Sequence, residues 1–184
     1  MATTNKMTNV KRVLNGAKLI RLTPYVDGVL STTDHYELDE IVENTTSVTK
    51  EEGDSTSILN EKGGSITTTY TQGLRQFAAD LGDLQDAGLE GLFGWVKSKE
   101  GRLYEPSSMP ELFCQIEIVF LGGAAKLTMP KVQMNSSVTF ESLKSDIGRG
   151  KLAGTAQNVK ETITLPDDET AEVEYSCYLE KVSA

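Results

Sequence analysis

Residues 171–180 read AEVEYSCYLE, in which Ala171, Val173, Tyr175, Cys177 and Leu179 alternate with Glu172, Glu174, Ser176 and Glu180. Successive side chains of an extended chain point to opposite faces, so this stretch predicts a half-buried antiparallel strand with an acidic outer face. Tyr178 is the one large ring on the polar side. Upstream, Val159, Ile163 and Leu165 alternate with Lys160, Thr162 and Thr164, and Pro166, Asp167 and Asp168 supply a turn, which predicts a C-terminal hairpin. The same period runs through residues 113–121, where Cys114, Ile116, Ile118 and Phe120 oppose Gln115 and Glu117. Between residues 127 and 134 the apolar phase changes at Pro130, a residue that cannot donate to a ladder, so a bulge or an edge position is expected there. Residues 138–143 and 151–157 read as further strands, with Gly148, Arg149 and Gly150 forming the turn between them. Residues 17–22 and 36–42 complete a mainly β, antiparallel pattern of the sandwich or barrel-like kind.

Two stretches depart from this pattern. Residues 43–64 are rich in Thr, Ser, Glu, Asp and Gly, with little apolar content beyond Val48, Ile58 and Leu59, and so predict a long extended loop with little to bury. Residues 83–94 predict one short flanking helix. Asp83 is a good N-cap, Leu84, Ala87, Leu89, Leu92 and Phe93 give apolar surface, and Gly94 offers a stop. Gly88 and Gly91 within it each cost about 1 kcal/mol relative to Ala, so packing against the sheet must hold the helix. Leu74, Phe77, Ala78 and Leu81 stand at helical spacing and suggest a preceding helical turn over residues 74–81.

At 184 residues the chain suits a single domain spanning residues 1–184, and its hydrophobic share of 38% predicts a modest core. Its 27 acidic and 18 basic residues leave a formal charge of -9, which disfavours nucleic-acid binding through a basic face. The polar first ten residues carry no export signal, and no apolar run approaches the ~18 residues of a membrane span. Cys114 and Cys177 lie too far apart for a zinc motif or a small disulfide framework and read as buried thiols.

A search for chemistry finds no converging set. His35 is the only histidine, cannot build a His-rich metal site, and beside a turn reads as a surface residue. Cys114 sits on the apolar face of a strand, where an inert thiol is expected. The carboxylates at Asp83 with Asp86, at Glu51 with Glu52 and at 167–169 read as solvated. The paired glycines lack the lysine and spacing of a phosphate loop. The sequons at Asn44 and Asn135 read as chance, and Trp95 is expected to close the core under the helix. No catalytic residue, cofactor or metal is assigned.

The order of elements resembles the major tail tube proteins of long-tailed bacteriophages: strands, a long polar excursion, a strand, one short helix, then a run of strands. Three stretches carry the likeness: YELDEIVENTTSVTKEEGDSTSI at 36–58, DLQDAGLEGLFG at 83–94 and KLTMPKVQMNSSVTFESLKSDIGRGKLAGTAQ at 126–157. The likeness in the order of elements covers about two thirds of the chain, and none of these stretches is a strict motif. The resemblance implies a non-enzymatic structural subunit that joins copies of itself into hexameric rings, their inner strands forming one continuous barrel. The rings stack into a hollow conduit for DNA ejection. It further implies a place in the virion after synthesis in the bacterial host cytoplasm, with tape-measure and tail terminator or initiator proteins as partners. DNA passes in transit without specific binding, and no membrane anchor is needed. The inner tube of a contractile or type VI-like injection apparatus is the alternative, and a monomeric β-sandwich binding module is a second.

Two candidate surfaces follow. The polar excursion, through Thr45, Thr46, Val48, Glu51, Glu52, Ile58 and Leu59, is expected to order by lying on a neighbouring subunit and so to stack one ring on the next. Glu117, Glu172, Glu174 and Glu180 are candidates to line the lumen, because phosphates slide most easily past walls that repel them.

Overall fold

The computed structural model describes residues 16–53, 55–59, 65–70, 73–82, 86–108, 111–122, 125–139, 149–166 and 168–181. It is a mainly β protein of antiparallel sheets, with one short helix among the described residues. The N-terminal part holds β1 (Ala17–Val26), β2 (Val29–Leu30), β3 (Tyr36–Leu38), β4 (Ser47–Lys50), β5 (Ser55–Leu59), β6 (Ser65–Tyr70) and β7 (Arg75–Leu81). The helix α1 (Asp86–Phe93) is followed by β8 (Val96–Lys97), β9 (Leu103–Tyr104), β10 (Leu112–Phe120), β11 (Ala125–Met134) and β12 (Ser137–Thr139). The C-terminal part adds β13 (Arg149–Ala156), β14 (Val159–Thr164), β15 (Thr170–Tyr175) and β16 (Tyr178–Lys181).

Ten of these strands make one sheet in the order β2-β1-β10-β11-β13-β7-β4, with β3 added to β1, β16 to β11 and β12 to β13. The strand β11 links two halves of this sheet. Its first half pairs with β16 through Ala125↔Lys181 and Thr128↔Tyr178, and its last residues pair with β13 through Val132↔Ala156 and Met134↔Gly154. The changeover falls at Pro130. On β10 the pairs Cys114↔Val132 and Ile116↔Met129 are two residues apart, while on β11 they are three apart, so an extra residue bulges there. A bulge bends its strand and raises the local twist, and proline has no N–H to lose to the ladder. The Pro130 carbonyl accepts a hydrogen bond from the Tyr25 hydroxyl at 3.0 Å.

The opposite margin bends in the same sense. Residues 36–38 pair with β1, yet Ile41 already bridges to Leu81 and β4 pairs along β7. Three residues therefore carry the chain from one margin of the sheet to the other, and the sheet curls around a shared core. Ile20, Leu22, Ile116, Ile118 and Met129 from one half meet Phe77, Ala79, Val132 and Leu152 from the other, with Leu89, Leu92 and Phe93 of α1 beside them. Each fully buried side chain of this size contributes about 1.5–3 kcal/mol through its removal from water. Among the described residues the curl is sandwich-like and does not close into a barrel.

Several expectations are corrected. Residues 74–81 are not helical: the burial of Phe77, Ala79 and Leu81 follows a period of two, and β7 is hydrogen-bonded to β13 on one side and β4 on the other. Helical and strand periods coincide at few positions in so short a run, and two waiting ladders decide the matter. The strand expected over 171–180 breaks at Ser176 and Cys177, which lets β15 pair with β14 while β16 joins β11. The strand expected over 36–42 is regular only through Tyr36–Leu38. Arg149 and Gly150, read as a turn, belong to β13, while residues 140–148 lie outside the described residues. The excursion at 43–64 is not a plain loop, since it contains β4 and β5.

The helix runs as anticipated to Gly94, whose φ of 68° is the left-handed stop, and the Trp95 N–H donates to the Leu89 carbonyl six residues back at 3.0 Å. The proposed cap, Asp83, lies outside the described residues. Trp95 packs against the core as expected.

Candidate assembly surfaces

The polar excursion is the outer part of one long ribbon. In its base, β4 pairs with β7 from Ser47↔Ala78 to Lys50↔Arg75, and the Glu51 N–H donates to the Leu74 carbonyl at 2.9 Å. In its outer part, β5 pairs with β6 from Ser55↔Tyr70 to Leu59↔Ser65. From Lys50↔Arg75 to Ser55↔Tyr70 each strand advances by five positions, so the register carries through. The base belongs to the main sheet, whereas the outer part is a two-stranded sheet, a kind of structure that is marginal in water without a further surface to pack on.

The candidate stacking residues divide accordingly. Thr45 belongs to the base: its hydroxyl donates to the Val42 carbonyl at 2.8 Å and accepts from the Asp80 N–H at 3.0 Å. Thr46 is half-buried, and Val48, opposite Phe77, packs against the core. Glu51 accepts from the Gln76 amide at 3.2 Å, and Glu52 is exposed. Ile58 and Leu59 lie on the outer ribbon, opposite Thr67 and Ser65, where a register shift marks the ladder.

The four candidate lumen carboxylates fall on two different sheets. Glu172 and Glu174 are exposed on the outer face of the β14–β15 hairpin. There Glu172 stands 3.7 Å from the Lys160 ammonium, and Glu174 accepts from the Asn158 amide at 3.1 Å. The hairpin turn matches the sequence reading, with Leu165 N–H donating to the Glu169 carbonyl and Asp168 at a φ of 65°. Glu117 and Glu180 belong instead to a charge row on the main sheet. Arg21 bridges Glu37 at 2.5 Å and Glu117 at 3.4 Å, and Lys126 bridges Glu117 at 2.5 Å and Glu180 at 2.7 Å. Glu117 is 9% exposed and is enclosed by its two cations, while Glu180 stays exposed.

The electrostatics follow from this geometry. The hydrogen bond to Glu37 and its charge hold the Arg21 guanidinium above its ordinary value, and in return Arg21 holds the Glu37 carboxyl below its own. Burial pulls the Lys126 ammonium down, but hydrogen bonds and charge from Glu117 and Glu180 outweigh it and leave it raised. Sequence reasoning missed Arg21 and Lys126, because only strand register brings them level with the acids.

At the inner side of the hairpin, Glu161, Ile163, Val173, Tyr175 and Tyr178 line a cleft of about 670 Å³ against Gln115 and Pro130. Tyr175 and Tyr178 meet edge to face at 5.8 Å, and the Tyr175 hydroxyl donates to Glu161. That bond, with some burial, pushes Tyr175 from 10.0 up to about 12. Because the folded value lies above the unfolded one, the bond stabilises the hairpin fully below pH 10 and is lost as pH rises toward 12. A spectrophotometric titration should therefore show one tyrosine ionising near pH 12, and Tyr175→Phe should remove that phase. An unchanged titration of the variant would refute the assignment.

The remaining sequence candidates fall as follows. Cys114 is fully buried and its thiol is pushed up to about 12 by burial, as an inert core residue should be. Cys177 is free and half-buried, packed against the core. His35 is exposed. Among the described residues no group of three or more His, Cys, Asp or Glu side chains is placed to hold a metal, and no helix is long and apolar enough to cross a membrane.

No protein-family model matches the chain, and no curated protein matches it. Among solved structures, it is similar to a chain of a cryo-EM structure of the anti-feeding prophage (AFP) baseplate, 6-fold symmetrised. The match covers 90% of this chain and 94% of that one, at 10% sequence identity and a TM-score of 0.42.

Proposed function

We propose that the chain is a structural subunit that polymerises with itself into stacked rings, forming a hollow tail tube through which DNA passes. The observation that carries this reading is the pair of two-stranded elements that leave the curled sheet unfinished: the β5–β6 ribbon and the β14–β15 hairpin. Two strands alone are marginally stable in water, and their outer edges present unpaired N–H and C=O groups. A neighbouring copy can complete both at once, which is how a ring removes its sheet edges. The order of elements, which resembles that of tail tubes, supports sixfold rings.

In this arrangement the ribbon, with Ile58 and Leu59 on it, reaches the adjacent ring, while Thr45 and Val48 fix its base to the parent sheet. The hairpin joins neighbours around the ring and turns Glu172 and Glu174 toward the lumen, where an acidic wall repels passing phosphates. Glu117 stays inside the charge row, and Glu180 flanks it. Tape-measure and terminator or initiator proteins would meet the first and last rings.

The test shortens the ribbon, replacing residues 54–71 by an Asn-Gly turn between Gly53 and Gln72, which keeps the Lys50↔Arg75 register so that β4 and β7 remain joined. At high concentration the full chain should sediment as rings or tubes and show them by negative-stain microscopy. The shortened chain should stay monomeric with an unchanged circular dichroism spectrum and melting temperature. Tubes from the shortened chain, or a full chain that stays monomeric at every concentration, would refute the proposal.

A further inference from the structure

The short hairpin β8–β9 carries two large apolar side chains in solvent. Val96 and Tyr104 are cross-strand neighbours, so they share one face, and they are 62% and 52% exposed. At the root of the hairpin Trp95 and Leu103 pack against the core, which fixes it on the core side of the sheet, directly after α1. Its charge runs against that of the chain: residues 96–104 hold Lys97, Lys99 and Arg102 against one acid, Glu100, where the whole chain has 27 acidic and 18 basic residues. Lys97 is taken by Asp86 at 2.6 Å and Arg102 stands 3.8 Å from Glu100, whereas Lys99 has no ion pair among the described residues.

The cleft of about 670 Å³ under the β14–β15 hairpin has the complementary character. Ile163, Val173, Tyr175 and Tyr178 give it apolar walls, and the exposed Glu161, which also lines it, has no ion pair among the described residues. The hairpin carries acids at 161, 167–169, 172 and 174 against one base, Lys160. The cleft falls within the roughly 300–1,000 Å³ of pockets that bury a small ligand, enough for a valine and a tyrosine side chain while the strands that bear them lie across its mouth. Gln115, another lining residue, alternates with the fully buried Cys114 and Ile116, so the cleft opens on the side of β10 turned away from the core. The apolar pair and the cleft therefore lie on opposite sides of the sheet and do not meet within one copy.

We propose that the β8–β9 hairpin of one copy docks on the β14–β15 cleft of the next, setting Val96 and Tyr104 into the cleft and Lys99 and Arg102 against Glu161. This inference rests on the ring reading and names the two surfaces that meet around a ring. Different patches on the two copies make a head-to-tail contact, the kind that closes into a ring when the rotation allows. Tyr104 is the aromatic anchor, and opposite charge fixes the register and keeps two acidic hairpins from pairing with each other.

The test places one cysteine on each surface of the full chain, Val96→Cys and Val173→Cys, in a Cys177→Ala background, since Cys114 is buried and its thiol is held protonated. Under mild oxidation this chain should link into a ladder of covalent oligomers about tenfold faster than a control with Val96→Cys and Thr162→Cys. The control cysteine stands opposite Glu172, on the outer face of the same hairpin. Adding Tyr104→Ala, a truncation at an exposed site, should slow the linking to the control rate, as should Lys99→Glu with Arg102→Glu. Joining that charge reversal to Glu161→Lys should restore it. Linking at the control rate, linking indifferent to both Tyr104→Ala and the charge reversal, or an intramolecular disulfide as the main product would each overturn the contact. If negative-stain microscopy still shows rings in such a case, the tube reading stands and only this contact falls, whereas a parent chain that never assembles refutes both.

Discussion

Lys126→Met is expected to lower the unfolding free energy by about 2–3 kcal/mol, a large effect for a lysine at a strand position. The cause is the carboxylate left behind. Glu117 is 12% exposed at its side chain, and its bond to Lys126 at 2.5 Å is shorter than its contact with Arg21 at 3.4 Å. Methionine keeps the length and apolar stem of lysine but leaves Glu117 with one distant cation, itself already bound to Glu37 at 2.5 Å. The remaining Arg21 contact puts the loss at or just below the lower end of the roughly 3–5 kcal/mol expected for a broken buried pair. Removing both charges should behave differently, because an apolar pair costs no desolvation. The double variant Glu117→Leu/Lys126→Met should fall within about 1 kcal/mol of the parent. Denaturant unfolding of the parent, the single variants Lys126→Met and Glu117→Leu and the double variant gives the coupling directly. If the single and double variants are equally destabilised, the row is not the source of the effect.

The two glycines of α1 should respond to alanine with opposite signs. At Gly88 a Cβ meets open space, so Gly88→Ala should gain about 0.5–1 kcal/mol by removing chain entropy from the unfolded state. At Gly91 the same atom would stand 1.9 Å from the Tyr36 hydroxyl oxygen and 2.4 Å from its ring carbon, with a second ring carbon at 2.8 Å. The ring must move, and with it β3, so Gly91→Ala should lose about 1–3 kcal/mol despite better helix propensity. Replacing Tyr36 by leucine in the Gly91→Ala background should recover part of that loss. Thermal melts of these variants test the pair, and a gain at both glycines would mean that the ring does not lie over Gly91.

The helix shows how unevenly local and distant information enter this chain. That its glycines needed tertiary support was readable from propensity alone, and so was the stop at Gly94. Which glycine carries a ring against it was not, because Tyr36 is fifty-five residues away in sequence and arrives only when β3 pairs with β1. The Asp27-Gly28 turn between Val26 and Val29 is a different case: both central residues have positive φ, 51° and 80°, as a tight hairpin turn requires. The dipeptide is a strong hairpin signal that is local to the two residues themselves.

The candidate surfaces divide along the same line. Alternation placed Glu172 and Glu174 on an exposed strand face, as found, because side-chain parity is a property of the strand itself. It put Glu180 on the same strand, which is not so, because the bend at Ser176 and Cys177 exchanges one partner strand for another. Nothing in the residues around Glu117 announces that Arg21 and Lys126 will enclose it. The polar excursion was legible as a departure from the core but not as a ribbon, since each of its strands reads as polar loop until the other lies beside it.

By itself the sequence determined what local forces can determine: the β character of the chain, the bulge at Pro130, the hairpin turn at 165–169 and the end of the helix at Gly94. Each depends on backbone geometry or side-chain alternation within a few residues. The tertiary structure alone decided which strands are neighbours, that residues 75–81 extend rather than coil, and which charges meet. A strand satisfies its hydrogen bonds on residues far away in the chain, so its pattern states which face is buried and leaves its partner to the packing of the whole.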